Sequence, residues 1–226
     1  MSDTVYDWGP RAYGAGELAA DRWVHILGVA FAVMGTIALL IVVGVFGDGG
    51  ALASVVPYVI GLNAMLICSA AYNLTKPSPR REFLRRFDHA AIFLMIAGTY
   101  TPLTTRYLDG AWAITITLVI WAIAVAGVSV KIAFPRRFER ISIAIYLAMG
   151  WMLVIPIRPL LASLELSTMI LIAVGGVLFT VGTIFHVRHR MPYQNAIWHG
   201  FVLAASACHY AAIMRGMAFG LGAGGI

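Results

Sequence analysis

Six polar residues fall where a membrane-type helix would otherwise be apolar: His25, Ser69, Asn73, Asp88, Asn195 and His199. Their side chains are those of a hydrolytic metal site or of a hydrogen-bonded polar core. An imidazole nitrogen or a carboxylate oxygen can bind zinc, a carboxylate can carry protons, and a hydroxyl can orient water. An amide offers a donor and an acceptor but only a weak metal ligand. The spacing is ordered. Asp21 and His25, Ser69 and Asn73, and Asn195 and His199 are each four residues apart, which on a helix puts both members on one face. An ionisable group in the apolar zone costs about 2.5–3.5 kcal/mol unless it meets protein or water, so these pairs are expected to face a shared interior.

The elements that must position them are membrane helices. The chain has 226 residues, 61% of them hydrophobic and 12% charged, with a mean hydropathy of +0.86. Soluble domains are far less apolar, so the composition specifies an all-α integral membrane protein. Spans of about 20 apolar residues are expected near 22–46, 51–74, 88–106, 110–131, 140–162, 166–187 and 194–215, forming one seven-helix bundle over 22–215. An N-terminal segment, 1–21, and a glycine-rich tail, 216–226, flank it. The first apolar run is long enough to span, which favours a retained helix over a cleaved signal. Pro57, Pro102, Pro156 and Pro159 lie within spans, where neighbouring helices can satisfy the freed carbonyls. Cys68 and Cys208 sit in apolar runs and read as buried thiols.

The net charge of +6 is not a nucleic-acid signal, because the basic residues are short clusters between apolar runs. Of the 16 Lys and Arg residues, 13 fall in the N-terminal segment and in the second, fourth and sixth connections. Arg106, Arg158 and Arg215 are the other three. The positive-inside rule then places the N-terminus in the cytoplasm and the C-terminus outside. In that orientation His25, Ser69, Asn73, Asp88, Asn195 and His199 share one depth near the cytoplasmic face. His209 lies 10 residues past His199, about 15 Å along the axis, and belongs elsewhere.

Plainer roles compete for each residue. Asp88 in "RRFDHAAIF" suits an N-terminal cap of the third helix. His25 suits hydrogen-bonded packing, His209 an interhelical contact, and His89, His186 and His189 an interfacial position. Ser69 alone is unremarkable where membrane helices touch. Beyond His209 and Arg158, nothing polar is expected to continue toward the outer side.

Longer runs resemble a known family. "ADRWVHILG" (Ala20–Gly28), "SAAYN" (Ser69–Asn73), "RRFDHAAIFLMIAGTYTPL" (Arg85–Leu103) and "MPYQNAIWHGFVLAASACHY" (Met191–Tyr210) are similar to segments of the bacterial hemolysin III family. That family is related to the progestin and adipoQ receptors, including the adiponectin receptors. The resemblance implies seven helices and a zinc ion near the cytoplasmic face. The ion would be held by a histidine of the second helix and two of the seventh, beside a serine and an aspartate. By position the serine is Ser69 and the aspartate Asp88, the second-helix ligand falls on Asn73, and the seventh-helix ligands fall on Asn195 and His199. Two of the three ligands are therefore asparagine. Zinc favours imidazole, thiolate or carboxylate, so His199 with Asp88 leaves the set one ligand short.

Three functions follow as expectations. The first is a non-catalytic protein binding a membrane lipid, such as a fatty acid or a sphingolipid-like ligand, in a cytoplasm-facing polar pocket, and regulating or sensing membrane state without a cofactor. The second is a zinc-dependent hydrolase of lipid amides, resembling the alkaline ceramidases, with Ser69 and Asp88 catalytic and His199 and Asp88 on the metal. The third is proton or ion transport, or pore formation. All place the chain in a bacterial inner membrane, with lipids and not nucleic acid as partners.

Overall fold

A computed structural model describes residues 13–219. Most of the expected N-terminal segment (residues 1–12, including Arg11) and the end of the glycine-rich tail (residues 220–226) lie outside the described residues. Within them are helices and no strand. The order is α1 (Ala15–Phe46), α2 (Gly49–Asn73), α3 (Pro79–Tyr107), α4 (Gly110–Ala133), α5 (Glu139–Gly150), α6 (Ile157–Ser163), α7 (Leu166–His186) and α8 (Gln194–Phe219).

Five of these helices (α1, α2, α4, α7 and α8) are long and apolar enough to cross a membrane, and α5 with α6 makes a sixth if the bent pair is one span. The protein is thus an all-α membrane protein. α3 is long, at 29 residues, but starts with Arg80, Arg81, Arg85 and Arg86 and ends rich in threonine, so its mean apolarity is lower.

Local signals explain the boundaries. Asp48 caps α2 by accepting from the Ala51 amide at 2.6 Å, and Ser78 caps α3 by accepting from Arg81 N at 3.3 Å, with Pro79 at the first helical position. The Ala51 amide also holds the Asp48 carboxyl below its ordinary range. The early start of α3 corrects one expectation. Asp88 is ten residues into a helix that begins at Pro79, so it caps nothing. The stronger start signal, Ser-Pro, lies at the preceding turn.

α3 packs against α2, α4, α5, α6 and α8. Its approach to α2 is close: a Cβ on Gly61 would stand 2.7 Å from Leu94 O, and one on Gly98 would stand 2.5 Å from Pro57 O. Only glycine permits these crossings. One apolar cluster joins α1, α2, α3 and α8 around Leu39, Tyr58, Leu62 and Met217. A second joins α3 to α4, α5 and α6 around Phe93, Ile120, Met149 and Leu160.

The break between α5 and α6 shapes the interior. A 3₁₀ turn, Met152–Val154, follows Gly150, Pro156 removes a donor, and the helix axis bends by 57°. Tyr100 of α3 repairs the freed backbone: its hydroxyl donates to Met149 O at 2.5 Å and accepts from Leu153 N at 3.0 Å.

Candidate ligand and metal site

A cavity of about 620 Å³ runs through the bundle, within the usual size range for small-molecule sites. His25, Ser69, Asn73, Asp88, Asn195 and His199 all line it, gathered from α1, α2, α3 and α8. They define its basic end, where Arg81, Arg85 and Arg136 also contribute. Leu66, Met95, Ile96, Phe179 and Val202 are among the apolar walls. At the far end are Tyr100, Trp151, Thr180 and His209.

At the basic end the hydrogen bonds form a directed chain. His25 Nδ1 lies 2.8 Å from the Asp21 carbonyl, which can only accept, so Nδ1 carries hydrogen. In the neutral ring Nε2 then accepts from the Ser69 hydroxyl at 3.3 Å. Ser69 Oγ in turn accepts from Asn73 Nδ2 at 3.3 Å, and the same amide donates to Ser69 O at 3.0 Å. His199 Nδ1 donates to Asp21 Oδ1 at 2.6 Å, and the two imidazoles meet edge to face with centroids 4.3 Å apart.

Asp21 joins this site although it is not among the six polar positions expected to form it. It is 7% exposed and lies one helical turn before His25, so the four-residue spacing of that pair was the available signal. Its carboxylate meets both His199 and, at 3.7 Å, His25 Nδ1. Asp21, His25 and His199 each offer a ligating atom, all within 4.8 Å of one another. Asp88 is not in that group. It faces the cavity beside Ser69, with His89 Nε2 3.9 Å from its carboxylate. Asp21, His25 and His199 thus form a three-residue group of potential metal ligands among the described residues, and Asp88 lies outside it.

The three histidine positions implied by family resemblance hold two asparagines. The Asn73 amide nitrogen is spent as a donor to Ser69, and amide nitrogens have no lone pair for a metal. A three-imidazole zinc centre does not fit these residues. A carboxylate with two imidazoles, as in Asp21, His25 and His199, is a donor set that does suit zinc.

The mouth is tied by ion pairs. Arg85 pairs with Glu139 and donates to Pro135 O at 2.7 Å, while Arg136 meets Glu82 at 3.0 Å. Arg81 stacks over Tyr72, 4.7 Å from its ring centre. His89, His186 and His189, expected at an interface, also line the cavity.

The helices and the polar-ended cavity define an integral membrane protein with an internal amphiphilic chamber. The sequence profile of the Haemolysin-III related family matches residues 19–210, and the chain belongs to that family. It is 32% identical over 198 residues to the hemolysin-3 homolog of Bacillus subtilis (strain 168), covering 88% of this chain and 93% of that protein. Hemolysin-3 of Bacillus cereus is likewise 32% identical, over 88% of this chain and 90% of its own. The human monocyte to macrophage differentiation factor, a relative on the progestin and adipoQ receptor side, is 28% identical over 166 residues, 70% of this chain and 68% of that one.

Proposed function

We propose that the protein spans the bacterial inner membrane seven times, N-terminus inside and C-terminus outside, and binds a membrane lipid or fatty-acid-like amphiphile without chemically changing it. The observation that carries this reading is the cavity: about 620 Å³, with ionisable and amide groups at one end and aliphatic or aromatic walls beyond. A head group would meet Ser69, Asn73, Asp88 and Asn195, and an acyl chain would lie between α3, α7 and α8. Asn73 and Asn195 take the place of family ligands, so the polar end recognises its ligand by hydrogen bonds, in a site degraded for zinc. The family's metal is not needed for such binding. Occupancy coupled to the Arg85–Glu139 and Arg136–Glu82 pairs at the mouth would report membrane state to the cytoplasm.

The test is native mass spectrometry of the protein released from lipid nanodiscs. One co-purified amphiphile per chain is expected, and Gly176→Leu should reduce it, because a side chain grown at this cavity-lining glycine meets nothing nearer than Trp151 at 3.8 Å and extends into the chamber.

A second reading, hydrolysis of lipid amides, is favoured by one observation: Ser69, Asp88 and His199 line the same cavity. If zinc is bound, it would activate water, Asp88 would take up the proton, and Ser69 would orient the nucleophile. Release of fatty acid from an N-acyl sphingoid base, lost in Asp88→Asn, would establish it. No release with a lipid still bound would leave the non-catalytic reading in place.

A further inference from the structure

We propose that Asp21 and His25 of α1 with His199 of α8 form a divalent-cation site, displaced by one helix from the position that resemblance to the family implies, whose role is to clamp α1 to α8. Three observations carry it.

The first is charge. Asp21 is buried, and the only ionisable side chains paired with its carboxylate among the described residues are two histidines. A carboxylate removed from water needs a compensating cation. Neutral imidazoles supply none, and two imidazoles 4.3 Å apart resist being protonated together. One imidazolium would balance the carboxylate; a bound dication also supplies the positive charge, with both rings neutral and free to ligate.

The second is the donor set. Two imidazoles and a carboxylate, with a further position left to water, is a combination that holds zinc. Donor atoms bonded tetrahedrally at about 2.0–2.1 Å stand about 3.3 Å apart. Asp21 Oδ1 is 2.6 Å from His199 Nδ1 and 3.7 Å from His25 Nδ1, so the two separations bracket that value. Uptake of an ion replaces the hydrogen now between Asp21 and His199. That hydrogen moves to His199 Nε2; the hydrogen on His25 Nδ1 likewise moves to its own Nε2, so Nδ1 gives up the Asp21 carbonyl for the metal and Nε2 donates to Ser69 Oγ.

The third is location. Asp21 does not line the main cavity. It lines a small neighbouring cleft with Glu17, Tyr193 and Asn195, whereas His25 and His199 line the cavity. An ion among the three sits in the wall between the two spaces, on the seam where α1 meets α8. The same seam carries Tyr193 N donating to Glu17 at 2.6 Å and Tyr210 donating to Gly35 O at 2.9 Å. A cation here fastens the middle of a seam whose ends are already tied.

The experiment is zinc content by plasma mass spectrometry on chelator-free protein, with thermal unfolding during zinc titration. Wild type is compared with Asp21→Asn, His25→Gln and Asn73→Ala. The expected result is about one zinc per chain in wild type, and affinity reduced more than about tenfold in Asp21→Asn and His25→Gln. Asn73→Ala should retain the metal, and zinc should raise Tm only in chains that keep the Asp21 and His25 ligands. Absence of zinc from wild type with no Tm response overturns the proposal. So does zinc retained in Asp21→Asn, or zinc lost in Asn73→Ala, which would return the ion to the family position. Lipid occupancy is read separately, so a failure of the lipid reading leaves this result interpretable.

Discussion

The two ends of the cavity use polar side chains in opposite ways. At the far end most of their bonds go to the backbone. Tyr100 bridges the broken α5–α6 segment, His209 Nε2 donates to Ile172 O at 3.3 Å, and Thr180 both bonds Gly176 O at 2.7 Å and accepts from Trp151. At the basic end they face one another. Asp21, His25, His199, Ser69 and Asn73 are linked side chain to side chain, and Asp88 and Asn195 line the same space. Polarity alone therefore does not mark function in this bundle. What distinguishes the basic end is that its groups are partnered by residues that can be exchanged for a ligand or an ion, whereas a helix break at the far end would lose its repair.

The sharpest way to break that contrast is His199→Ala. It strips Asp21 of its closest partner and leaves a buried carboxylate, so a loss of about 3–5 kcal/mol is expected in detergent or nanodisc unfolding. Adding Asp21→Asn should recover part of it, as removing the charge removes the penalty. Tyr100→Phe comes next: both the Met149 carbonyl and the Leu153 amide lose a partner, and about 1–3 kcal/mol should disappear while lipid occupancy changes little. If Tyr100→Phe instead abolished lipid binding at unchanged stability, the far end would be a recognition site and the contrast would fall. Ser78→Ala should cost about 1 kcal/mol through loss of the α3 cap, with the cavity unaffected. Trp151→Phe should cost least, about 0.5–1 kcal/mol, because its bond to Thr180 is solvent- or lipid-exposed.

Much of this was legible in the sequence. Apolar runs located the helices because every membrane helix must satisfy its own backbone. The six polar positions were found because an unpaired polar group in such a run demands an interior. Other features depended on tertiary contact. Spacing pairs Asp21 with His25, yet a first span starting at 22 leaves Asp21 in the flanking segment, whereas α1 starts at Ala15 and carries both. Asp88 looked like a cap because α3 was expected to begin there. The break after Gly150 could not be told from a proline kink without Tyr100, a residue 49 positions away that holds it. For the same reason the polar lining was expected to stop sooner than it does: Thr99, Tyr100, Trp151 and Thr180 belong to apolar runs and reach the cavity only in the folded bundle.

The measurement that bears most directly on the account is native mass spectrometry of the wild-type chain and Gly176→Leu, released from nanodiscs under identical conditions. An amphiphile of defined mass is expected on the wild type, with a marked drop in its occupancy when the chamber is narrowed. A wild-type chain that emerges lipid-free and takes up no added fatty acid or lipid amide, or equal occupancy in both chains, would contradict it.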